Sequence, residues 1–285
     1  MCKKLTIQEI VFLRDLYKVD WPKFVPTFVL LSHFIERFDK NHEWQEKVHF
    51  LTVNIGSLKN GTFLMIYCNY IVCLNSLEAA PYENLQILLN QLDFSEEKKF
   101  WAIEAHHADV VLKIQKSKNL EIVYDESSKC TFYQFDLNEI ASSLKLLTIP
   151  HGFYYDSLKV DDVPLLIANS YYKMPPWYFE NVIQHNITTG LYTNDGKLVA
   201  WTGIHEVGES GLTNVDAKYR RQKLALGVLS QQTFKALQAG KVIFGHVFDN
   251  NVTAVDLFDS IGHAKIVGRH RWINLRKGKS TKSQL

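Results

Sequence analysis

Residues Leu212 to Leu229 read LTNVDAKYRRQKLALGVL, and this stretch decides the fold. Leu212 to Val215 reads as a short strand. A turn holding two arginines follows. A helix then starts near Leu224 and carries on through Leu229, Phe234 and Leu237. The first amides of such a helix have no partner inside it, and the helix dipole adds partial positive charge at that end. Arg220, Arg221 and Lys223 put full charges in the same place. Strand, basic turn and helix N-terminus together can hold a phosphate or pyrophosphate. The same residues also fit an ordinary strand-turn-helix with a solvated basic turn, and the chain on either side decides between the two.

Working outward, the second half opens with a strand over 153–158 and two helices over 160–170 and 176–185. A strand over 188–192, the tight turn Asn194-Asp195-Gly196 and a partner strand over 197–207 precede the quoted stretch. After its helix come a strand over 242–248, a helix over 251–260, Gly262 as a left-handed cap and a last strand over 265–274. The order is β-α-α-β-β-β-α-β-α-β. The first half reads as helices over 5–17 and 26–38, a strand over 49–55, a hairpin turn at Asn60-Gly61 and one return strand over 62–74. A helix over 81–92, a strand over 100–104, a helix over 108–115 and strands over 120–124 and 130–135 complete it. A connecting helix or linker over 137–147, closed by Pro150-His151-Gly152, marks the boundary. The two orders are broadly similar, as a divergent duplication would give, but no residue-level repeat accompanies them.

The 285 residues, 46% hydrophobic and 22% charged, suit a globular protein of two domains. A net charge of +2 argues against nucleic acid as the partner. Cys2, Cys68, Cys73 and Cys130 lack the paired spacing of a zinc site and read as reduced thiols of an intracellular protein. No metal site emerges, His106-His107 included. The N-terminus has no secretory h-region and is poor in the Arg and Ser of a mitochondrial presequence. The longest apolar run, 63–74, is too short to span a bilayer. These features place the chain in the cytoplasm, with weak alternatives in the peroxisome and mitochondrion; the end Ser283-Gln284-Leu285 is one letter from the peroxisomal S-K-L address.

The second-half order, with a basic turn after its fourth strand, resembles the GNAT superfamily of N-acyltransferases. Arg220-Arg221-Gln222-Lys223-Leu224-Ala225 matches the first and last positions of that family's R/Q-x-x-G-x-G/A pyrophosphate loop, but Lys223 stands where the first glycine belongs. Asn251 and the apolar helix through Phe258 match in part a second signature that normally ends in L-G-F. Val199-Ala200-Trp201, Gly208-Glu209, His246-Val247 and Trp272 are similar to glycine N-acyltransferase-like proteins. The resemblance implies an α/β (α+β) protein. A GNAT catalytic domain over 149–275, a mixed, central antiparallel sheet flanked by helices, follows an N-terminal α/β domain over 1–148 that is open to being a degenerate GNAT-like half; a disordered basic tail covers 276–285.

It also implies acyl-CoA as co-substrate and a small amine or amino-acid acceptor such as glycine. Glu209 would be the general base, with His246 as a secondary acid or base. Thr213, Asn214 and Val215 would meet the pantetheine arm, while Arg220, Arg221, Gln222, Lys223, Leu224 and Ala225 would meet the pyrophosphate, and Asn251 and Phe258 would complete the contacts. Phe258 holds the position where many relatives have a proton-donating tyrosine, and it cannot donate. His205 and Glu206 are strand neighbours facing opposite ways, so they are not a pair. Phe38, Phe50, Phe63 and Trp101 fit an acyl pocket or a plain core equally well. Two other functions stay open: a non-catalytic CoA-binding or protein-interaction module, and acetylation of a protein or polyamine amine.

Overall fold

The computed structural model describes residues 2–123, 129–135, 139, 149, 151–170, 174–260 and 264–278. The chain begins with a short strand, β1 (Lys3–Lys4), that pairs with β2 (Val48–Thr52). Between them, α1 (Ile7–Leu16) starts at a capping box in which Thr6 and Glu9 satisfy each other's backbone N–H groups. Next come α2 (Val25–Lys40) and the single turn α3 (Trp44–Lys47).

Two expectations fail here, each for a local reason. The strand expected over 49–55 stops at Thr52, because Asn54 caps a short helix, α4 (Ile55–Lys59), accepting from the Ser57 N–H while Ser57 Oγ accepts from its own. The single return strand expected over 62–74 is two strands, β3 (Phe63–Tyr67) and β4 (Ile71–Asn75). They fold back at Cys68 and Asn69, whose φ angles of +48° and +53° are left-handed. Then come α5 (Glu83–Asn90), β5 (Lys98–Glu104), α6 (Ala105–Ser117), β6 (Leu120–Ile122) and β7 (Lys129–Phe135).

The second half runs β8 (Phe153–Asp156), a 3-10 turn, α7 (Val163–Asn169), α8 (Pro176–His185), β9 (Thr188–Thr193), β10 (Leu198–Ile204) and β11 (Ser210–Val215). After these stand α9 (Leu224–Gln238), β12 (Phe244–Phe248), α10 (Val252–Ser260) and β13 (Ala264–Lys277). This is the predicted order. The expected linker over 137–147 and the cap at Gly262 lie outside the described residues, apart from residue 139.

With β1 added, β3 and β4 separated and the short α3 and α4 set aside, the first half reads β-α-α-β-β-β-α-β-α-β-β. That is the second-half series with one strand more. The element order therefore recurs, and the mixed α/β architecture expected from the sequence is present.

Two compact units result, neither continuous in sequence: Met1–Phe132 with His246–Val255 and Ile266–Leu285, and Tyr133–Gly245 with Asp256–Lys265. Strand exchange along the chain accounts for the discontinuity. The sheet order is β1-β2-β3-β4-β5-β13-β7-β12 with β6 beside β13, so the final strand ladders with strands of the first half. It runs on to Lys277. Arg276 and Lys277, expected in a disordered tail, are paired with Glu121 and Leu120, and Arg276 Nε lies 2.8 Å from a Glu121 carboxylate oxygen. Pairing with β6 is what holds them in the sheet.

In the first unit one face of the sheet packs Leu64, Val72 and Phe100 against Leu85, Leu88 and Leu89 of α5 and Val111 of α6. On strand residues of opposite parity, Phe50 and Phe63 pack 6.1 Å apart, with Phe38 6.3 Å from Phe50. All three are buried, so this aromatic cluster is core. Trp101 packs on Trp272 at 4.0 Å. In the second unit the strand order is β11-β10-β9-β8. Here α9 lays Leu224 and Val228 on Leu191, Val199 and Ala200.

Candidate active site

Strand β11 is built irregularly. Ala200 pairs with Val215 and Trp201 with Asn214, but Gly203 pairs with Gly211, so Thr202 faces two residues, Leu212 and Thr213. This is a β-bulge, and Leu212 carries its strain with φ of +60°. The buried Thr202 hydroxyl holds it in shape, donating to the Gly211 carbonyl at 3.0 Å and meeting Thr213 Oγ1 at 2.9 Å. β11 is also the edge of its sheet, so its outer row of N–H and C=O groups is not laddered to a strand of that sheet. Within the second unit, Gly245 comes so near the start of β11 that a Cβ there would sit 3.1 Å from the Ser210 carbonyl oxygen. Yet β11 and β12 belong to different sheets.

Beyond β11, Asp216 caps a 3-10 turn (Ala217–Tyr219) by accepting from the Lys218 N–H. That bond and the Lys197 ammonium 3.0 Å away hold its carboxyl below the usual range. The basic turn follows. Arg221 and Lys223 have φ of +64° and +59°, the left-handed region that favours glycine. The loop thus keeps, with a lysine, the backbone conformation that glycine takes most easily. Arg220, Arg221, Gln222 and Lys223 are exposed, and among the described residues no ion pair ties them to a carboxylate. Arg220 Nε–H donates to the Val215 carbonyl at 3.2 Å, which fixes its stem against β11. Lys223 is the N-cap of α9 and makes no side-chain capping bond; the first intrahelical bond runs from Gly227 N–H to the Lys223 carbonyl. The amides of Leu224, Ala225 and Leu226 therefore start a 15-residue helix without a capping side chain. Buried Leu224 and Val228 anchor that helix to the sheet, which sets the position of the turn.

The other predicted residues fall as follows. Thr213 helps close the bulge. Asn214 spends its side chain locally, accepting from Val215 N–H at 2.7 Å and donating to the Asn169 carbonyl at 3.0 Å, so a ligand would meet its backbone. Glu209 sits at the β10–β11 hairpin, 3% exposed, with its carbonyl accepting from His205 N–H at 2.7 Å. Phe258 lies in the core of the second unit, its ring 5.2 Å from Tyr133 and 5.5 Å from Phe135 and packed over Gly245. His246 and Asn251 belong to the first unit. There His246 Nε2 is 2.9 Å from His270 Nδ1, and burial together with His246 holds the His270 pKa well below its usual value. Asn251 caps α10 through Ala254 N–H at 3.2 Å, as expected of it.

Sequence reasoning missed one pair. Tyr178 of α8, fully buried, places its hydroxyl 2.6 Å from His205 Nδ1. His205 and Glu206, expected as neighbours on a strand, lie instead in the turn after β10 ends at Ile204; their side chains still find different partners, Glu206 accepting from Asn186 Nδ2 at 2.9 Å. Nothing in the spacing of residues 178 and 205 signals their meeting; only the packing of α8 across the hairpin brings them together. Among the described residues no group of three His, Cys, Asp or Glu is arranged to hold a metal ion. No described helix is long and apolar enough to cross a membrane.

Comparison with known proteins supports the reading of the second half. Residues 188–273 match the model of the family described as FR47-like protein. Comparison with curated protein sequences gives no match. Among solved structures, a Drosophila protein is similar over 96% of this chain and 98% of its own, at 17% identity and a TM-score of 0.84. A tandem GNAT protein from the clavulanic acid biosynthesis pathway is similar over 98% of this chain and 99% of its own, at 12% identity and a TM-score of 0.58. A GCN5-related N-acetyltransferase from Sphaerobacter thermophilus covers 97% and 95%, at 11% identity and a TM-score of 0.55. At these identities the likeness speaks for the fold: the chain has the GNAT fold, and the family match falls on the half that carries the bulged strand and the basic turn.

Proposed function

We propose that the protein is an acyl-CoA-dependent N-acyltransferase that acylates the amine of glycine or another small amino acid or amine by direct attack, both substrates being held together. One observation carries this reading: a bulged edge strand, β11, leads straight into a left-handed basic turn at an uncapped helix N-terminus. Amides of Leu224 to Leu226, with Arg220, Arg221 and Lys223, would hold the pyrophosphate. The outer edge of β11 at Thr213 and Asn214 would pair with the amide-bearing pantetheine arm as a strand pairs, while Val215, whose N–H and carbonyl are held by Asn214 and Arg220, would offer only its side chain. When bound, acyl-CoA supplies an activated carbonyl carbon.

The chain's own task is then proton management and orientation. An amine that is protonated at neutral pH must lose a proton before it can attack. Glu209, at the hairpin that opens β11, is assigned as the group that accepts it, directly or through one water. Holding donor and acceptor in one cleft removes any need for a covalent acyl-enzyme. We assign residues 149–275 to this chemistry and residues 1–148 to a supporting half, whose sheet the final strand β13 also enters. The burial of Phe258 favours one competing reading, a CoA-binding module without turnover, because the leaving thiolate finds no proton donor there.

The test is mass-spectrometric detection of N-acyl products from acetyl-, benzoyl- and long-chain acyl-CoA, each with glycine and with mixed amines. Product that falls by about 10²-fold or more in Glu209→Gln supports both the activity and the base. Binding of acyl-CoA without product from any acceptor would establish the module instead.

A further inference from the structure

We infer that His205, positioned by Tyr178, is a second proton-handling residue of this site. The inference rests on the acyltransferase reading above. It begins with proton counting: an ammonium acceptor carries three protons on nitrogen and the amide product keeps one. As the C–N bond forms and the C–S bond breaks, two protons leave nitrogen, and the sulfur departs with the electron pair and takes one proton back. A single carboxylate cannot hold both protons, and Phe258 can neither accept nor return one.

The hairpin that carries Glu209 presents one more suitable group. His205 is opposite Glu209 in the turn, with its N–H bonded to the Glu209 carbonyl at 2.7 Å. Its ring folds back over Gly211, at the start of the bulged strand. A Cβ on residue 211 would collide with His205 Nε2, so glycine at that position is what gives this nitrogen its place beside the strand. Nδ1, on the other side of the ring, is 2.6 Å from the Tyr178 hydroxyl. With the proton on Nδ1 directed to the Tyr178 oxygen, Nε2 is the basic nitrogen and faces β11. His205 is half-buried while Tyr178 is fully buried, so the histidine has an outlet for its proton and the tyrosine fixes its direction. Of the two protons, Glu209 takes the first and His205 Nε2 the second, and the histidine passes its proton to the leaving sulfur. The titratable neighbours of His205 among the described residues include Tyr178 from α8 and, along the hairpin, Glu206 and Glu209.

The experiment combines activity with two readouts that do not need turnover. Wild type, His205→Gln and Tyr178→Phe are compared for acyl-CoA affinity, for the pH profile of kcat/KM, and by NMR titration of the histidine ring nitrogens in the free protein. His205→Gln is expected to bind acyl-CoA within threefold of wild type, to lose about 10²-fold in kcat, and to lack the histidine limb of the pH profile. Tyr178→Phe, which removes one oxygen and keeps the ring, is expected to shift that limb and the tautomer signal of one histidine, with a smaller fall in kcat. An unchanged pH profile and kcat in either variant, or a His205 resonance indifferent to Tyr178→Phe, overturns the inference and leaves the acyltransferase reading standing. A wild type that acylates no amine overturns both.

Discussion

Replacing Lys223 with glycine should stabilise the protein while weakening its hold on CoA. The residue sits at φ of +59° with no capping bond of its own. A side chain in that region costs roughly 1–2 kcal/mol, which glycine would recover. Against this, glycine loosens the unfolded chain by about 0.4–1 kcal/mol. The net gain is therefore between about 0 and 1.6 kcal/mol, read as a raised urea midpoint at unchanged slope. The ammonium is a separate matter. One charge about 5 Å from a phosphate at a water-exposed site contributes about 1 kcal/mol, or roughly fivefold in Kd, and the contribution fades with salt. Lys223→Gln should show that loss alone, because it keeps the Cβ and gives up the charge. Calorimetric Kd values for CoA at low and high salt separate the two effects. If Lys223→Gly lowers stability by about 1 kcal/mol, as glycine does in ordinary right-handed or extended backbone, the left-handed turn is wrong and the account of the loop fails with it.

Two further outcomes concern stability. Thr202→Val leaves the Gly211 carbonyl and the Thr213 hydroxyl without their partner in the bulge, and should cost about 1–3 kcal/mol in urea unfolding. His107 is fully buried, and burial pushes its pKa from 6.5 down to about 3. Below pH 6.5 the unfolded chain therefore takes up this proton first, and stability falls with pH until about pH 3. Between pH 7 and pH 5 wild type should lose about 2 kcal/mol more than His107→Leu in paired urea titrations. His270, shifted the same way, leaves a residual slope in both.

The second half was legible because its elements are long and cleanly punctuated: Asn194-Asp195-Gly196 turns with Gly196 at φ of +84°, and the helix starting at Leu224 begins there. The repeated element order was hidden by two local events. β1 is two residues long and has no periodicity to read, and the apolar run over 63–74 conceals a reversal at Cys68-Asn69. An apolar run broken only at Asn69 looks alike in sequence whether it is one strand or two packed side by side. The site divided along the same line. Charges and helix start were visible in Arg220 to Ala225, whereas the bulge at Leu212 and the Tyr178–His205 contact depend on register and packing, which no residue type encodes.

The repeated element order poses the question of how many acyl-CoA molecules one chain binds, and the first half answers it by its own chemistry. Its counterpart of the basic turn is Ser76 to Tyr82, ahead of α5. Tyr82 repeats the left-handed cap of Lys223, with φ of +63°, so the backbone motif survives. The charge does not: the segment has no lysine or arginine, and Glu78 accepts from the Asn84 N–H at 3.3 Å and its side-chain amide at 3.0 Å. A carboxylate thus already serves the helix start and repels a phosphate. The strands also differ. β4 and β5 are laddered at Ile71 and Val72, and Asn75 Nδ2 bridges to Glu104 Oε1 at 3.0 Å where the strands end. Their counterparts β11 and β12 lie in separate sheets. Titration calorimetry should therefore give one CoA per chain, and Arg220→Gln/Arg221→Gln should weaken that single event without revealing another. A second event, or binding that survives the double substitution unchanged, would show that the first half holds CoA through groups other than a basic turn.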